Sequence, residues 1–268
     1  MERRCYFVVG DKFKAFAEGK NVLTLSQLRS LTDLPDGFMD VRAVLKLGQG
    51  VQEEEVREIL NRHESRGGVK ALLELSDLHR VKDRADSVIS HKRFPYNTLI
   101  GSPQKIVEDE FLIPLNIDER CELMGDHQTG QHVQGMIVIE AFRQSFLAVT
   151  EAFFPLESKS SYFVINMMNV SFTSFLFPLP AHVSYRVLEA NRSRKRARYK
   201  VIMSAVQNEV ACATAEVSFT VYPASSIAPK EAELAYQVTE ALLGLMPHTV
   251  NRSIQPAGGK TLALEIER

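Results

Sequence analysis

The stretch Met136-Ile-Val-Ile-Glu-Ala-Phe-Arg-Gln-Ser-Phe-Leu-Ala-Val-Thr-Glu-Ala-Phe-Phe154 decides how the rest of the chain is read. Thirteen of its nineteen residues are apolar, four of them Phe. A surface helix carries one apolar stripe; a helix that is apolar around most of its circumference is wrapped by other elements. At about 100° per residue, Glu140, Arg143, Gln144, Thr150 and Glu151 gather in a sector of roughly 120°, and only Ser145 falls outside it. The spacing therefore predicts a buried helix over residues 136–154 with one narrow polar seam. That seam is either a stripe facing solvent or an interface, with Glu140 and Arg143 paired at i, i+3, or it holds a buried carboxylate. In the second case Glu140 has a raised pKa and acts as acid or base near neutrality.

Outward from this helix, residues 162–175, 181–189, 198–206 and 210–221 are rich in Val, Phe, Tyr, Thr and Ser and partly alternate with period two, which predicts four strands. One helix followed by sequential strands implies an α+β arrangement, an antiparallel sheet with a helix on one face. Residues 111–117 read as a further strand and 231–245 as a helix. The first part of the chain reads differently. Strands are expected at 5–9, 21–25 and 39–47 and a helix at 51–63, with acidic residues in its first turn where the helix dipole favours them. The charged run 78–84 reads as a linker. Three regions follow: a small α/β module of unknown role over 1–85, the main domain over 86–226, and a C-terminal helix and tail over 227–268.

The chain has 268 residues, of which 45% are hydrophobic, enough for a substantial core. Lys plus Arg (32) nearly cancels Asp plus Glu (33), which argues against nucleic acid as a partner. Three scattered cysteines build neither a disulfide framework nor a CxxC metal knuckle. No run is apolar enough for a signal peptide or a membrane span, so a cytoplasmic protein is expected.

Just ahead of the helix, residues 125–135 pack Asp126, His127, His132 and three glycines into eleven positions. Such a loop brings polar side chains to a helix N-terminus, whose free N–H groups stabilise an oxyanion. Gly135 lets a carbonyl approach the main chain closely, and His127 beside Asp126 is a candidate general base; a structural histidine is the plainer alternative. A metal site from Asp126, His127 and His132 matches no standard ligand spacing, so neither a metal nor a cofactor is expected. Five cations fall within residues 192–198, at the tip of an expected hairpin. Arg194, Lys195 and Arg196 there form a solvated turn or a docking patch for an acidic carrier protein or a coenzyme A phosphate.

Asp126-His127-x-x-Gly130-Gln131 followed by Met136-x-x-x-Glu140-Ala141-x-Arg143-Gln144 resembles the signature of the A-factor biosynthesis hotdog family. His91-Lys92-Arg93 with Asn97-Thr98-Leu99-Ile100 is similar to that family's opening strand. The resemblance spans roughly residues 86–223 and implies a hotdog fold, a long central helix wrapped by a curved antiparallel sheet, here behind the small N-terminal module. It implies a homodimer in which Glu140 of one chain faces His127 of the other. It also implies an activity: transfer of a 3-oxoacyl group from a carrier-protein or coenzyme A thioester to a hydroxyl such as that of dihydroxyacetone phosphate, in butyrolactone-type signal or other specialised-metabolite biosynthesis. Under the resemblance His127 or Glu140 takes the hydroxyl proton and Asp126 orients His127. The Gly135 and Met136 amides hold the thioester oxygen, and Arg143 and Gln144 serve structure or substrate positioning. The chain is also similar to the hotdog acyl-thioester dehydratases, although their His-Phe-Pro-Gly stretch here reads His127-Gln128-Thr129-Gly130. A dehydratase or thioesterase using the same His and Glu is the second reading, and a non-catalytic binding subunit the third.

Overall fold

The computed structural model describes residues 3–34, 42–65, 72–125, 129–157 and 160–245. Residues 39–41 of the expected third strand, Asp126 and His127, and the tail beyond residue 245 lie outside them.

The N-terminal elements are β1 (Arg3–Val9), α1 (Lys14–Ala17), β2 (Val22–Thr24), α2 (Leu25–Thr32), β3 (Arg42–Leu47), α3 (Glu53–Ser65) and β4 (Leu73–Glu74). The four strands are parallel, in the order β2-β1-β3-β4. Helix α2 starts on a capping box. The Thr24 hydroxyl accepts from Gln27 N–H and the Gln27 side chain accepts from Thr24 N–H. Successive side chains of a strand point to opposite faces, and β1 uses both. Val8 joins Leu25, Leu28, Val56 and Ile59 in a core beneath α2 and α3. Val9 joins a second core with Phe142, Phe146 and Phe219 from the other half of the chain. A parallel sheet needs cover on both faces; here helices supply one cover and the main domain the other.

The charged run 78–84 is not a linker. Ser76–Lys82 form a 3-10 helix in which Leu78 and Val81 are buried. With three residues per turn these two sit on one face, which leaves His79, Arg80 and Lys82 to solvent. The opening strand implied at 91–100 is likewise absent. A single turn α4 (Ser87–Ser90), capped by the Asp86 side chain, and a 3-10 turn at Pro95–Asn97 take its place. Pro95 has a fixed φ and no N–H to give a ladder, and of this stretch Ile100 forms an isolated bridge to Leu115.

The second half contains β5 (Gln104–Val107), β6 (Glu110–Pro114), α5 (Gly135–Phe153), β7 (Ser161–Phe172), β8 (His182–Arg192), β9 (Ala197–Gln207), β10 (Val210–Pro223) and α6 (Ala224–Leu245). Strands β5 to β10 form one antiparallel sheet, ordered β5-β6-β8-β9-β10-β7. The β9–β10 hairpin closes on Asn208 and Glu209, both at positive φ, the type I′ geometry that suits twisted strands. Alternate residues Val201, Met203 and Ala205 of β9 and Ala215, Val217, Phe219 and Val221 of β10 are buried in the same core as Phe142, Phe146 and Val149 of α5. This is the hotdog arrangement expected from the sequence. Helix α6 belongs to a separate unit. It starts before the expected residue 231 and runs through Pro229, with Tyr236, Val238, Leu242 and Leu243 exposed.

In open parallel sheets the crevice at the carboxyl ends of the strands, where strand order reverses, is the usual ligand site. Here that point lies between Gly10, after β1, and Gly48–Gly50, after β3, and the second half fills it. The Glu119 carboxylate accepts from Lys12 N–H (3.0 Å) and Gln52 Nε2 (2.8 Å). Gly50 N–H donates to Ile117 O (2.9 Å). The buried Gln49 side chain donates to Leu115 O (3.2 Å) and accepts from Ile117 N–H (2.9 Å). A Cβ on Gly10 would collide with the Gly50 carbonyl and the Glu119 carboxylate, so only glycine permits the approach.

Candidate functional site

Two features of α5 carry the chemistry, one on its polar seam and one at its N-terminus. On the seam, Arg143 Nε and Nη2 donate to the two Glu140 oxygens at 2.8 and 2.9 Å. Lys92 Nζ reaches Glu140 Oε1 at 2.7 Å. The fully buried Gln144 accepts from Leu99 N–H (2.8 Å) and donates to Asn97 O (2.9 Å) and Glu140 Oε1 (3.0 Å). Gln144 thus pins residues 97–99 across the seam. Burial alone would push the Glu140 carboxyl up, but the Arg143, Lys92 and Gln144 donors outweigh it and hold its pKa at about 2. This corrects the expected raised value: the seam is covered, and what covers it brings donors.

At the N-terminus, α5 begins at Gly135, one residue earlier than expected, and the Gln134 side chain does not cap it. The first N–H groups of a helix have no partner within it. Gly135, at that end, lines a cavity of about 420 Å³ together with His132, Val138, Phe172, Phe175, Leu176 and Cys212. The lining is mainly apolar. A Cβ on Gly135 would stand 3.2 Å from the Phe172 ring, so the missing side chain is what opens this end of the helix. Phe172 and Phe175 are 51% and 64% exposed; they form a rim rather than core. His132 packs against Phe175 with ring centroids 4.6 Å apart.

Residues 75–223, more than half of the chain, match the A-factor biosynthesis hotdog domain. The chain belongs to that family. No curated protein matches it in sequence. Solved structures similar to this hotdog chain include a conserved protein of Pseudomonas aeruginosa (14% identity, 45% of this chain and 86% of the other, TM-score 0.33). A thioesterase mutant from the same organism follows (14%, 55% and 94%, 0.37), as does a thioesterase of Haemophilus influenzae (11%, 56% and 90%, 0.34).

Of the hotdog family's motif residues, Gly135 lines the cavity and the 58% exposed Met136 follows it, whereas Glu140, Arg143 and Gln144 lie on the seam. Five residues of helix turn Glu140 by roughly 140° from Gly135, so within one chain the two features face different ways. Asp126 and His127 lie outside the described residues. The segments flanking them are fastened to the N-terminal module: Lys12 Nζ donates to Met124 O (2.7 Å) and Phe16 N–H to Gly130 O (2.9 Å). Arg194, Lys195 and Arg196 stand at the β8–β9 turn. That turn is at the far end of α5, where Arg192 Nη2 donates to Pro155 O (2.9 Å). A 19-residue helix spans about 28 Å, which separates the cations from the cavity of the same chain. The sequence reading missed His132 and Cys212 as lining residues. Three separate segments build the cavity, and no local pattern marks their meeting.

Proposed function

We propose that this hotdog protein processes acyl thioesters in the cytoplasm, transferring a 3-oxoacyl group from a carrier-protein or coenzyme A thioester to a hydroxyl acceptor such as dihydroxyacetone phosphate. The observation that carries the reading is the apolar cavity opening onto the uncapped N-terminus of the buried helix α5. An acyl chain lies against Phe172, Leu176 and Val138 while the Gly135 and Met136 N–H groups receive the thioester oxygen, which gathers negative charge as the carbonyl is attacked. The acceptor oxygen bonds to the carbonyl carbon, the C–S bond breaks, and the acceptor's proton ends on the departing thiol. His127, oriented by Asp126, carries that proton. Glu140, ionised and tied to three donors, is a weak base and serves to hold residues 92–99 against the helix through Lys92 and Gln144.

The working form is a homodimer. Strand β7 is an edge of the large sheet and exposes Ile165 and Phe172, and an open apolar edge is a template for a second copy. Light scattering that finds only monomers would overturn the dimer.

The test of the reaction is a purified-protein assay with a 3-oxoacyl thioester, with and without dihydroxyacetone phosphate. Free thiol and product mass are followed together. Acceptor-dependent thiol release with an ester product supports transfer. Acceptor-independent release with free acid identifies hydrolysis instead.

A further inference from the structure

Residues 1–74 lie outside the matched hotdog domain, yet one of their side chains is linked through a single ring to the cavity lining. Phe16, on α1 and almost fully buried, stacks on Phe177 with ring centroids 5.6 Å apart and planes at 25°. Phe177 meets Phe175 at 6.5 Å, and Phe175 meets His132 at 4.6 Å. Four rings thus run in a row from the core that the N-terminal module shares with α5 to the rim. Backbone contacts accompany them. Phe16 N–H donates to Gly130 O (2.9 Å), Gln131 Nε2 donates to Ala15 O (3.0 Å), and Val133 N–H donates to Leu176 O (2.8 Å). Gly130 sits at φ +70°, and a Cβ there would lie 2.9 Å from Lys12 O. Both rim segments, 130–133 and 175–177, therefore rest on residues 12–16. On the opposite side Gln207 holds Phe177, accepting from its N–H and donating to its carbonyl at 3.0 Å each.

We infer that the N-terminal module sets the bore of the cavity, with Phe16 as the residue that determines which acyl chains fit. It touches no ligand and acts through Phe177 and Phe175, so it is a positioning residue. Tight interiors shift when a ring is removed. Phe16→Leu lets Phe177 settle inward, draws Phe175 from the mouth and widens the cavity. The inference rests on the acyl-thioester reading above and deepens it.

The test measures binding of short, medium and long saturated acyl-coenzyme A thioesters by displacement of a fluorescent apolar probe, which requires no turnover. In Phe16→Leu the long-to-short affinity ratio rises by about tenfold, the discrimination a hydrophobic pocket gains from a small change in volume. A general loss of folded protein leaves that ratio unchanged. Gln131→Ala removes a rim tether without touching the core and moves the ratio the same way by less, so the test survives if Phe16→Leu does not fold. The double variant Phe16→Leu/Phe177→Leu shifts the ratio by less than the sum of the singles, because the two act through one stack. If wild type binds the thioesters and none of these variants changes the ratio, the inference is overturned and the acyl reading stands. If wild type binds no thioester of any length, both fall together.

Discussion

Lys92 Nζ lies 2.7 Å from Glu140 Oε1, the same oxygen that receives Arg143 and Gln144. A carboxylate so surrounded stays ionised well below neutral pH, and its proton affinity becomes a statement about stability.

The sign of that statement follows from the direction of the shift. The Glu140 carboxyl is held at about 2 against an ordinary value of 4.5, so it stabilises the fold fully above pH 4.5 and loses this as the pH falls toward 2. The shift corresponds to about 3 kcal/mol at most. Urea unfolding of wild type and Glu140→Gln should show a gap that is widest near neutrality and closes as the pH falls toward about 2. A gap independent of pH would mean that the ionised carboxylate is not what holds residues 92–99.

Gly135→Ala places a methyl group 3.2 Å from the exposed Phe172 ring. That ring has room to swing, so the melting temperature changes little while acyl-thioester affinity drops about tenfold as the cavity mouth narrows. Phe172→Leu in the same chain should restore binding; a binding curve identical to wild type for Gly135→Ala alone would remove this glycine from the site.

Gly10→Ala meets backbone rather than a movable side chain, with Gly50 O and the Glu119 carboxylate in the way. We expect a loss of about 3 kcal/mol in unfolding free energy. The transition should stay single, because Val9, Phe13 and Phe16 share a core with α5. Two separate transitions in calorimetry would contradict that shared core.

Replacing Arg194, Lys195 and Arg196 with Ser alters the exposed β8–β9 turn and leaves folding intact. The KM for carrier-protein thioesters should rise severalfold and become less sensitive to salt, while short free thioesters are unaffected. Equal effects on both substrates would dissociate these cations from carrier docking.

How much of this was legible in the sequence depends on how local the cause is. Helix α5 is written in its own nineteen residues, and β9 and β10 in the alternation of Val201 to Val206 and Val217 to Val221. Strand β5 was not legible because all four of its residues are exposed and carry no apolar alternation. The charged run at 78–84 misled because its two apolar residues are outnumbered, although three-residue spacing puts both in the core. The low pKa of Glu140 was half legible: the i, i+3 pairing with Arg143, its strongest partner, could be read from the helix, whereas Lys92 comes from a different part of the chain. The cavity was invisible for the same reason: Gly135 could be singled out, but not Cys212 across from it.

The crevice at the ends of β1 and β3 has a consequence for biosynthesis. Gly10 and Gly50 leave the ribosome long before Glu119, and Phe13 and Phe16 long before Phe142 and Phe219, with which they share a core. The N-terminal module must therefore wait, half-faced and with apolar rings uncovered, until most of the polypeptide has been translated. Such a nascent intermediate is a natural client for a chaperone, and truncating the chain after the module should yield an aggregating fragment rather than a folded one.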